Sequence, residues 1–370
     1  MDRARSVAAT LRQEWFLGLS VLTCLVFFAL GDRLAQSFEG ALWFTFAWLF
    51  AVVLGSALSV VRHADHLAER LGEPYGTLIL TLSVTSIEVV NISAVMLHGE
   101  NNPTLARDTL FAVLMIILNG MVGLSLLIGA WRHLEQQYNL QGASAYLSVI
   151  IPLSVFSMIL PNFTQTTAGP TLSTAQEIFL VLMSLGLYGT FLAIQTVRHR
   201  GYFTLGDGLR EEPHAAPPAP HGVAIHAVFL IAYMLPVVFL AEQLATPVDY
   251  LIETLHAPDA LGGLVIAVLV ATPEAVGAIR AAAANRLQRA VNIVLGSALS
   301  TIGLTIPAML AISHLTGRTV VLGLQNASFV LLPLTLVVSG ITFASGRTNV
   351  LQGVVHLVLF LGYLVLLFQG

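Results

Sequence analysis

The amino-acid sequence predicts an all-α polytopic membrane protein with about eleven transmembrane helices, and three observations favour this class. Of its 370 residues, 56% are hydrophobic and only 10% are charged, whereas a soluble protein carries about 25% charged residues. The apolar runs are about as long as the roughly 20 residues that a membrane-spanning helix needs. They also lack the alternation, over about ten residues, that marks the strands of membrane β-barrels.

The net charge and the single cysteine exclude other classes. A formal charge of −4 does not match the basic surface of a nucleic-acid-binding protein. The one cysteine, Cys24, lies in an apolar run, so the sequence predicts neither a disulfide framework nor a thiolate metal site. The predicted surroundings are a lipid bilayer, with no nucleic-acid partner.

Charged residues, Gly and Pro divide the apolar sequence into eleven predicted spans. In chain order these spans cover residues 15–31, 41–61, 76–97, 108–130, 144–160, 175–197, 223–242, 261–280, 289–313, 319–343 and 349–368. The first run leaves through Gly31, Asp32 and Arg33 and is followed by no small-x-small cleavage site. We therefore interpret it as an uncleaved first helix and not as a signal peptide.

The arginines predict the orientation of these spans. All 16 basic residues are Arg. If the N-terminus is cytoplasmic, all of them except Arg33, Arg107 and Arg318 fall on the cytoplasmic side. The positive-inside rule favours that arrangement, and an odd number of spans then places the C-terminus outside.

A polar segment at residues 198–222 divides the chain. It holds three acidic residues and four prolines, which exclude a membrane span and predict a cytoplasmic linker. The predicted organisation is an N-terminal segment with the first helix (1–40), a five-helix repeat (41–197), the linker (198–222) and a second five-helix repeat (223–370).

Each predicted repeat carries one carboxylate in the middle of a span, beside small hydroxyl residues. Glu88 follows Thr85 and Ser86, and Glu274 follows Thr272 and Pro273. The two spans are the third and the eighth, so an odd number of crossings separates them and they cross the membrane in opposite directions. Two inverted repeats that meet near the bilayer midplane are typical of secondary transporters.

The chemistry of the two glutamates predicts what is transported. A charged side chain at the bilayer centre costs about 2.5–3.5 kcal/mol on insertion scales, so two at matched positions indicate a function. Pro273 is expected to break its helix and free backbone carbonyls. Carboxylate, hydroxyl and carbonyl oxygens suit a hard cation such as Ca²⁺ or Na⁺, and desolvated carboxylates also bind protons. These residues therefore predict a cation/proton antiporter.

The spans that follow each glutamate are predicted to complete the site, although small residues there also permit close helix packing. The predicted ligands of the metal cation are Glu88, Glu274, Thr85, Ser86, Thr272, Asn119, Ser297 and Ser300. We predict no catalytic residue and no cofactor. His226 and His356, which lie inside spans, are expected to be hydrogen-bonded helix-packing residues. The segment 62–66 is expected to be a solvated loop, with sensing of pH or of a cation as the alternative.

Five segments carry a family resemblance across nearly the whole chain. They are residues 62–88, 103–110, 272–278, 288–292 and 345–351. They resemble the calcium/cation antiporter superfamily in its cation/proton exchanger branch, and most of all the ChaA-type sodium (potassium, calcium)/proton antiporters of bacteria. The resemblance implies one extra helix plus two inverted five-helix repeats in a bacterial inner membrane. It also implies that the glutamate pair exchanges Na⁺, Ca²⁺ or K⁺ for H⁺.

One departure from the superfamily bears on the cation. Many members have Gly-Asn three to four residues before each glutamate, where this chain has Val84-Thr85 and Val270-Ala271. Ca²⁺ takes about 6–8 oxygen ligands, so the missing amide oxygens shift the expectation toward Na⁺ or K⁺.

Other functions remain as alternatives. The first is a sodium-driven calcium exchanger without proton coupling, and a channel or a non-transporting sensor are two more. An intramembrane protease needs His-Glu-x-x-His, which is absent, or a paired Ser and His. The candidate pair for a protease is Ser297 with His226 or His356.

Overall fold

The structure is a computed structural model that describes residues 14–35, 39–72, 75–97, 102–205, 222–254, 258 and 260–369. Its long helices, in chain order, are α1 (Trp15–Ala35), α2 (Glu39–Leu71), α3 (Tyr75–Leu97), α4 (Leu105–His133), α5 (Leu140–Phe163), α6 (Thr174–Arg198), α7 (Val223–Glu253), α8 (Ala260–Ala283), α9 (Leu287–Thr316), α10 (Asn326–Thr342) and α11 (Val350–Gln369). A short 3₁₀ helix (Arg200–Phe203) follows α6. Two-residue strands, β1 (Gln136–Gln137) and β2 (Arg347–Thr348), pair antiparallel. Most of the predicted linker, residues 206–221, lies outside the described residues.

The described helices confirm the predicted all-α membrane class. Nine of them are long and apolar enough to cross a membrane, and the apolar part of α1 (Trp15–Gly31) and α10 are shorter. A helix satisfies every backbone hydrogen bond within itself, which a chain in lipid requires. In the most apolar stretch of α4 and of α9, 83% and 78% of the residues are buried, compared with 17% in the corresponding stretches of α6 and α11. Helices that are apolar on all sides and buried form the interior of a bundle.

The helices form two compact units, and each unit takes helices from both halves of the chain. The first contains α1, α2, α3 and α7, and the second contains α4–α6 and α8–α11. In the first unit, α2 ends at Gly72, whose φ of 63° suits glycine. Gly76 begins α3 so close to α2 that a Cβ would lie 2.6 Å from the Ala68 carbonyl oxygen. The turn between these helices therefore needs both glycines.

Two helices of the first unit are longer than the sequence predicted. Helix α2 continues to Leu71, beyond the predicted end at residue 61, and α7 continues to Glu253, beyond residue 242. The expectation that segment 62–66 is a solvated loop was therefore wrong. The segment is helical, and its His63 is 2% exposed because it packs against α7.

The second unit contains the irregular backbone, but not where the sequence predicted it. Helix α8 passes through Pro273 without a break. Instead, α4 and α9 each contain a turn of π-helix in the middle, at Ile116–Met121 and Thr301–Thr305. Such turns occur often at functional sites. The interruption predicted for a glutamate-bearing helix is found in helices that pack beside α8 in the second unit.

The apolar run at 319–343 is also only partly helical. Residues 319–325 form no helix or strand, and α10 begins at Asn326. The backbone N–H of Val321 donates to the Pro103 carbonyl at 2.8 Å, and that of Leu324 donates to the Met158 carbonyl at 2.8 Å. These bonds to neighbouring segments satisfy the backbone that a helix would otherwise satisfy.

Hydrogen bonds at the two ends of the second unit show which connections share a side. At one end β1, which follows α4, pairs with β2, which precedes α11, and Gln136 donates to the Ala282 carbonyl oxygen at the end of α8 at 3.0 Å. At the other end, the segment after α9 contacts the segments before α4 and at the end of α5. This alternation agrees with the predicted order of crossings in this unit, while the cytoplasmic assignment of one end stays a prediction.

Candidate functional site

Glu88 lies near the middle of α3 on a buried polar face. It is 2% exposed. Thr85 and Asn91, three residues before and after it, share this face because residues three apart are neighbours on a helix, and both are buried. The amide nitrogen of Asn91 donates to the Ile87 carbonyl oxygen at 2.7 Å. This face of α3 therefore presents a hydroxyl, a carboxylate and an amide in succession.

Ser86 does not belong to that polar face. Residues two apart on a helix point in different directions, and Ser86 is exposed while Glu88 is buried. In the sequence Thr-Ser-Ile-Glu both hydroxyl residues lie close to the carboxylate. In the helix, Thr85 shares a face with Glu88 and Ser86 does not. Of this pair, Thr85 is the candidate ligand.

Glu274 lies in α8, in the second unit, and obtains its hydroxyl partner from another helix. The hydroxyl of Ser297, on α9, donates to Glu274 Oε2. Ser300, one turn later, is buried and donates to the Ser297 carbonyl oxygen at 2.9 Å. A serine hydroxyl can donate to a carboxylate and can accept from a protonated carboxyl. Ser297 therefore fits both protonation states of Glu274.

Thr272 lies on a different face of α8 from Glu274, again because it is two residues away. Its hydroxyl donates to the Val268 carbonyl oxygen. Pro273 has no N–H, so the Leu269 carbonyl loses the donor that a regular helix would supply. Although the helix is continuous, Pro273 therefore still leaves one backbone oxygen without its helical partner.

Asn119 lies in the π-turn of α4, within a hydrogen-bonded network of the second unit, and is fully buried. Its amide nitrogen donates to Thr335 Oγ1 at 2.9 Å, and its amide oxygen lies 3.2 Å from His356 Nδ1. The other ring nitrogen of His356 lies 3.0 Å from Thr342 Oγ1. Both groups of the amide therefore bind other side chains, and this network links α4 with α10 and α11.

The same contacts bear on the protease alternative. The Ser297 hydroxyl donates to a carboxylate, and both ring nitrogens of His356 bind Asn119 and Thr342. His226 has His63 as a ring partner, with the two Nδ1 atoms 3.0 Å apart. No pairing of Ser297 with either histidine appears among these contacts, and both histidines are hydrogen-bonded packing residues as predicted.

Two polar features of the structure were not predicted from the sequence. Asn91 could have been found from its spacing of three residues after Glu88. A buried cluster in the first unit joins Glu14, Arg62, His63 and Tyr233 with His226. No local pattern indicates that cluster, because its members come from three segments that are far apart in the chain.

Comparisons with known proteins agree with this architecture. The model of the family described as sodium/calcium exchanger protein matches residues 41–197 and 225–369. The sodium-potassium/proton antiporter ChaA of Escherichia coli (strain K12) is 38% identical over 371 residues, covering 100% of both chains. The solved structure of native YfkE covers 96% of this chain and 100% of its own, with a TM-score of 0.74 at 17% identity. A selenium-substituted form, described as a Ca²⁺/H⁺ antiporter protein, gives 0.70 at 17% identity over 96% and 98%.

Proposed function

This chain belongs to the sodium/calcium exchanger family, and from that premise we propose that it exchanges a metal cation for protons across the membrane. The chain is a transporter and not an enzyme. In the proposed reaction, Glu88 and Glu274 bind the cation and the protons in turn. Conformations that open alternately to the two sides of the membrane carry out the exchange.

The observation that carries the proposal is the burial of Glu88 in a helix that is apolar enough to span a membrane. Removing a charged carboxylate from water is costly. A bound metal cation or a bound proton offsets that cost. A carrier that avoids the empty, charged state must therefore release one of these ligands only as it binds the other, which is the condition for exchange.

Neutral oxygens near each glutamate support cation binding. On α3 they come from Thr85 and Asn91, and near Glu274 they come from Ser297, with Ser300 one turn further on α9. Hydroxyl and amide oxygens are ligands that hard cations accept. Ser86 and Thr272, which lie on other helix faces, are not part of the proposed site.

We favour Na⁺ and K⁺ over Ca²⁺ as the cation. The E. coli relative is described as a sodium-potassium/proton antiporter, and positions 84–85 and 270–271 lack the asparagine amides that would add oxygens for Ca²⁺. Calcium stays in the proposed set because the YfkE structure is described as that of a Ca²⁺/H⁺ antiporter. Proton coupling in both descriptions favours this proposal over a sodium-driven calcium exchanger.

The test is a reconstitution of the purified chain in liposomes that contain a pH-sensitive dye. Na⁺, K⁺ and Ca²⁺ are added separately outside, and proton movement is followed. We expect each transported cation to enter the liposomes and drive protons out of them, and we expect Na⁺ or K⁺ to do so at a lower concentration than Ca²⁺. Na⁺-driven Ca²⁺ uptake that continues when a proton ionophore removes the pH gradient, without any dye response, would replace the proposal with the alternative.

A further inference from the structure

A buried ionic cluster lies in the first unit, separate in sequence from both glutamates of the proposed exchange site. We call it the Glu14 cluster, and it comprises Glu14, Arg62, His63, His226 and Tyr233. Arg62 Nη2 lies 2.5 Å from Glu14 Oε2, and the Tyr233 hydroxyl donates to the same oxygen at 2.9 Å. His63 Nε2 is 3.5 Å from that oxygen. The Glu14 side chain is 5% exposed and that of Arg62 is 41% exposed, so the cluster reaches the surface of the protein through Arg62.

Two histidines of this cluster contact each other directly. His63 on α2 and His226 on α7 place their Nδ1 atoms 3.0 Å apart, and both residues are buried. A hydrogen bond between two imidazoles needs one donor and one acceptor. The neutral pair and the pair with one added proton both meet this condition. A pair with two added protons does not, because two N–H groups and two positive charges then face each other.

The surrounding charges increase the effect of the second proton. The His66 ring centroid lies 4.9 Å from that of His226, so its protonation adds a third positive ring. Arg62 contributes a fixed positive charge, while Glu14 lies within ion-pair distance of His63 and Glu69 lies within that distance of His66. A second proton on the contacting pair still places two positive rings against each other beside Arg62.

Other titratable groups lie on the same helices. His66 Nδ1 is 3.8 Å from Glu69, which is exposed, and Asp65 and Arg70 are also exposed. Helix α3 carries Tyr75, which is exposed, and Glu88. Along α7 the next titratable side chains after Tyr233 are Glu242 and Asp249.

We propose that the Glu14 cluster is a second proton-binding site that slows exchange in acid. Double protonation of the His63 and His226 pair would break the contact between α2 and α7. Both helices pack against α3, which carries Glu88, so the loss of this contact alters the packing around the proposed exchange site. Among the described residues, no group of three or more His, Cys, Asp or Glu is placed to hold a metal ion, which favours a proton as the ligand. This regulation rests on the proposed antiport.

The first experiment measures the exchange rate in liposomes between about pH 8 and pH 4. Exposed histidines titrate between about pH 8 and pH 5, and burial beside other positive groups shifts protonation of this pair to more acidic conditions. We expect the wild-type rate to fall on the order of tenfold per pH unit at the acid end. His226→Asn and His63→Asn keep a hydrogen-bonding group but cannot become cationic, so we expect both to retain more acid-side exchange while matching the wild type near pH 8. His314→Asn, which changes an exposed histidine elsewhere, is the matched control. Identical pH profiles in all four proteins would overturn the inference, whereas absence of exchange in the wild type would instead reject the proposed antiport.

The second experiment does not depend on transport. Spin labels are placed at Glu69→Cys, near the C-terminal end of α2, and at Val223→Cys, at the N-terminal end of α7. Both positions are exposed, and the background variant is Cys24→Ala. We expect the distance between the labels to increase or broaden on acidification, and to stay constant when His226→Asn is added. The same pH response with and without His226, or no response in either protein, would exclude the Glu14 cluster as a proton-controlled contact.

Discussion

Helices α3 and α8 each carry one glutamate near the middle, but the two glutamates obtain their polar neighbours from different sources. Glu88 has Thr85 and Asn91 on its own helix face, and all three residues are buried. Position 271, which corresponds to Thr85, is an alanine, and the hydroxyl that bonds Glu274 comes from Ser297 on α9. One environment is built within a single helix, and the other requires two helices to be packed together.

If the two halves of the chain are repeats, this difference indicates how weakly similar sequences could support the same proposed chemistry. A hydroxyl beside a carboxylate can come from the preceding turn or from a neighbouring helix, and the chemistry depends only on where the oxygen lies. We therefore expect both glutamates to be equally important for exchange, and we expect their polar neighbours to require different substitutions as tests.

The largest expected effect is the loss of either carboxylate. Glu88→Gln and Glu274→Gln should each reduce the rate of cation/proton exchange at least about a hundredfold, which corresponds to about 2.7 kcal/mol in the activation barrier. The reason is that a neutral amide neither balances the charge of a cation nor binds a proton. Exchange is measured in liposomes, with Glu135→Gln as the control, since that carboxylate is exposed and lies 3.9 Å from Arg347. Wild-type exchange in either variant would show that its glutamate is not part of the site.

The second prediction asks whether both glutamates titrate in each cycle. If they do, two protons or one Ca²⁺ neutralise the site, whereas one Na⁺ leaves one negative charge. Exchange of Na⁺ should then respond to membrane voltage by about 2.3 kcal/mol per 100 mV, and exchange of Ca²⁺ should hardly respond. The rates are compared in liposomes clamped at zero and at negative potential, with a potassium ionophore only if K⁺ is not transported. Na⁺ exchange that ignores voltage would rule out a cycle of one Na⁺ for two protons.

The third prediction separates the hydroxyl partners of the two glutamates. Ser297→Ala removes the hydroxyl that donates to Glu274, and a hydrogen bond to a charged group contributes about 1.5–3 kcal/mol. Thr85→Val removes a buried hydroxyl on the helix face of Glu88, where it is a proposed ligand of the cation. We expect each variant to weaken the apparent affinity for the cation about tenfold, as measured by cation titration of the exchange rate. Ser86→Ala and Thr272→Val should behave like the wild type, and a stronger effect of Ser86→Ala than of Thr85→Val would contradict the helix-face argument.

The smallest expected effect on transport is at Asn119. Asn119→Ala leaves Thr335 and His356 without their amide partner, which should lower the free energy of unfolding by about 1–3 kcal/mol. The apparent affinity for the cation should change little. Thermal unfolding of the purified protein measures the first quantity, with Thr335→Val as a variant of the same network. Normal stability combined with lost cation affinity would make Asn119 a ligand after all.

Much of the architecture could be predicted because it depends on local composition. Apolar runs of sufficient length become helices in lipid wherever they occur, so the helices match most of the predicted spans in order. The exceptions have specific causes. Residues 319–325 lie in an apolar run but are not helical, since backbone N–H groups of this segment donate to other segments. Helix α2 continues through a charged segment because its inner face packs on α7.

The sequence by itself predicted a cation site at Glu88, Glu274 and nearby hydroxyl residues, because a carboxylate inside an apolar run is conspicuous. That site stays a prediction. The helical period favours Asn91 over Ser86 as a neighbour of Glu88 and places Thr272 on a different face from Glu274. That step needs no tertiary information, only the knowledge that residues three apart share a face.

Tertiary structure alone decided three other features. It placed Ser297 against Glu274, engaged Asn119 with Thr335 and His356, and brought Glu14, His63 and His226 together. The amino-acid sequence determined that this chain is an all-α membrane protein with one glutamate inside each of two apolar runs, because hydropathy and charge act residue by residue. The contacts between polar side chains depend on how helices from distant parts of the chain pack together. The order of residues along the chain does not give the spatial distance between such helices.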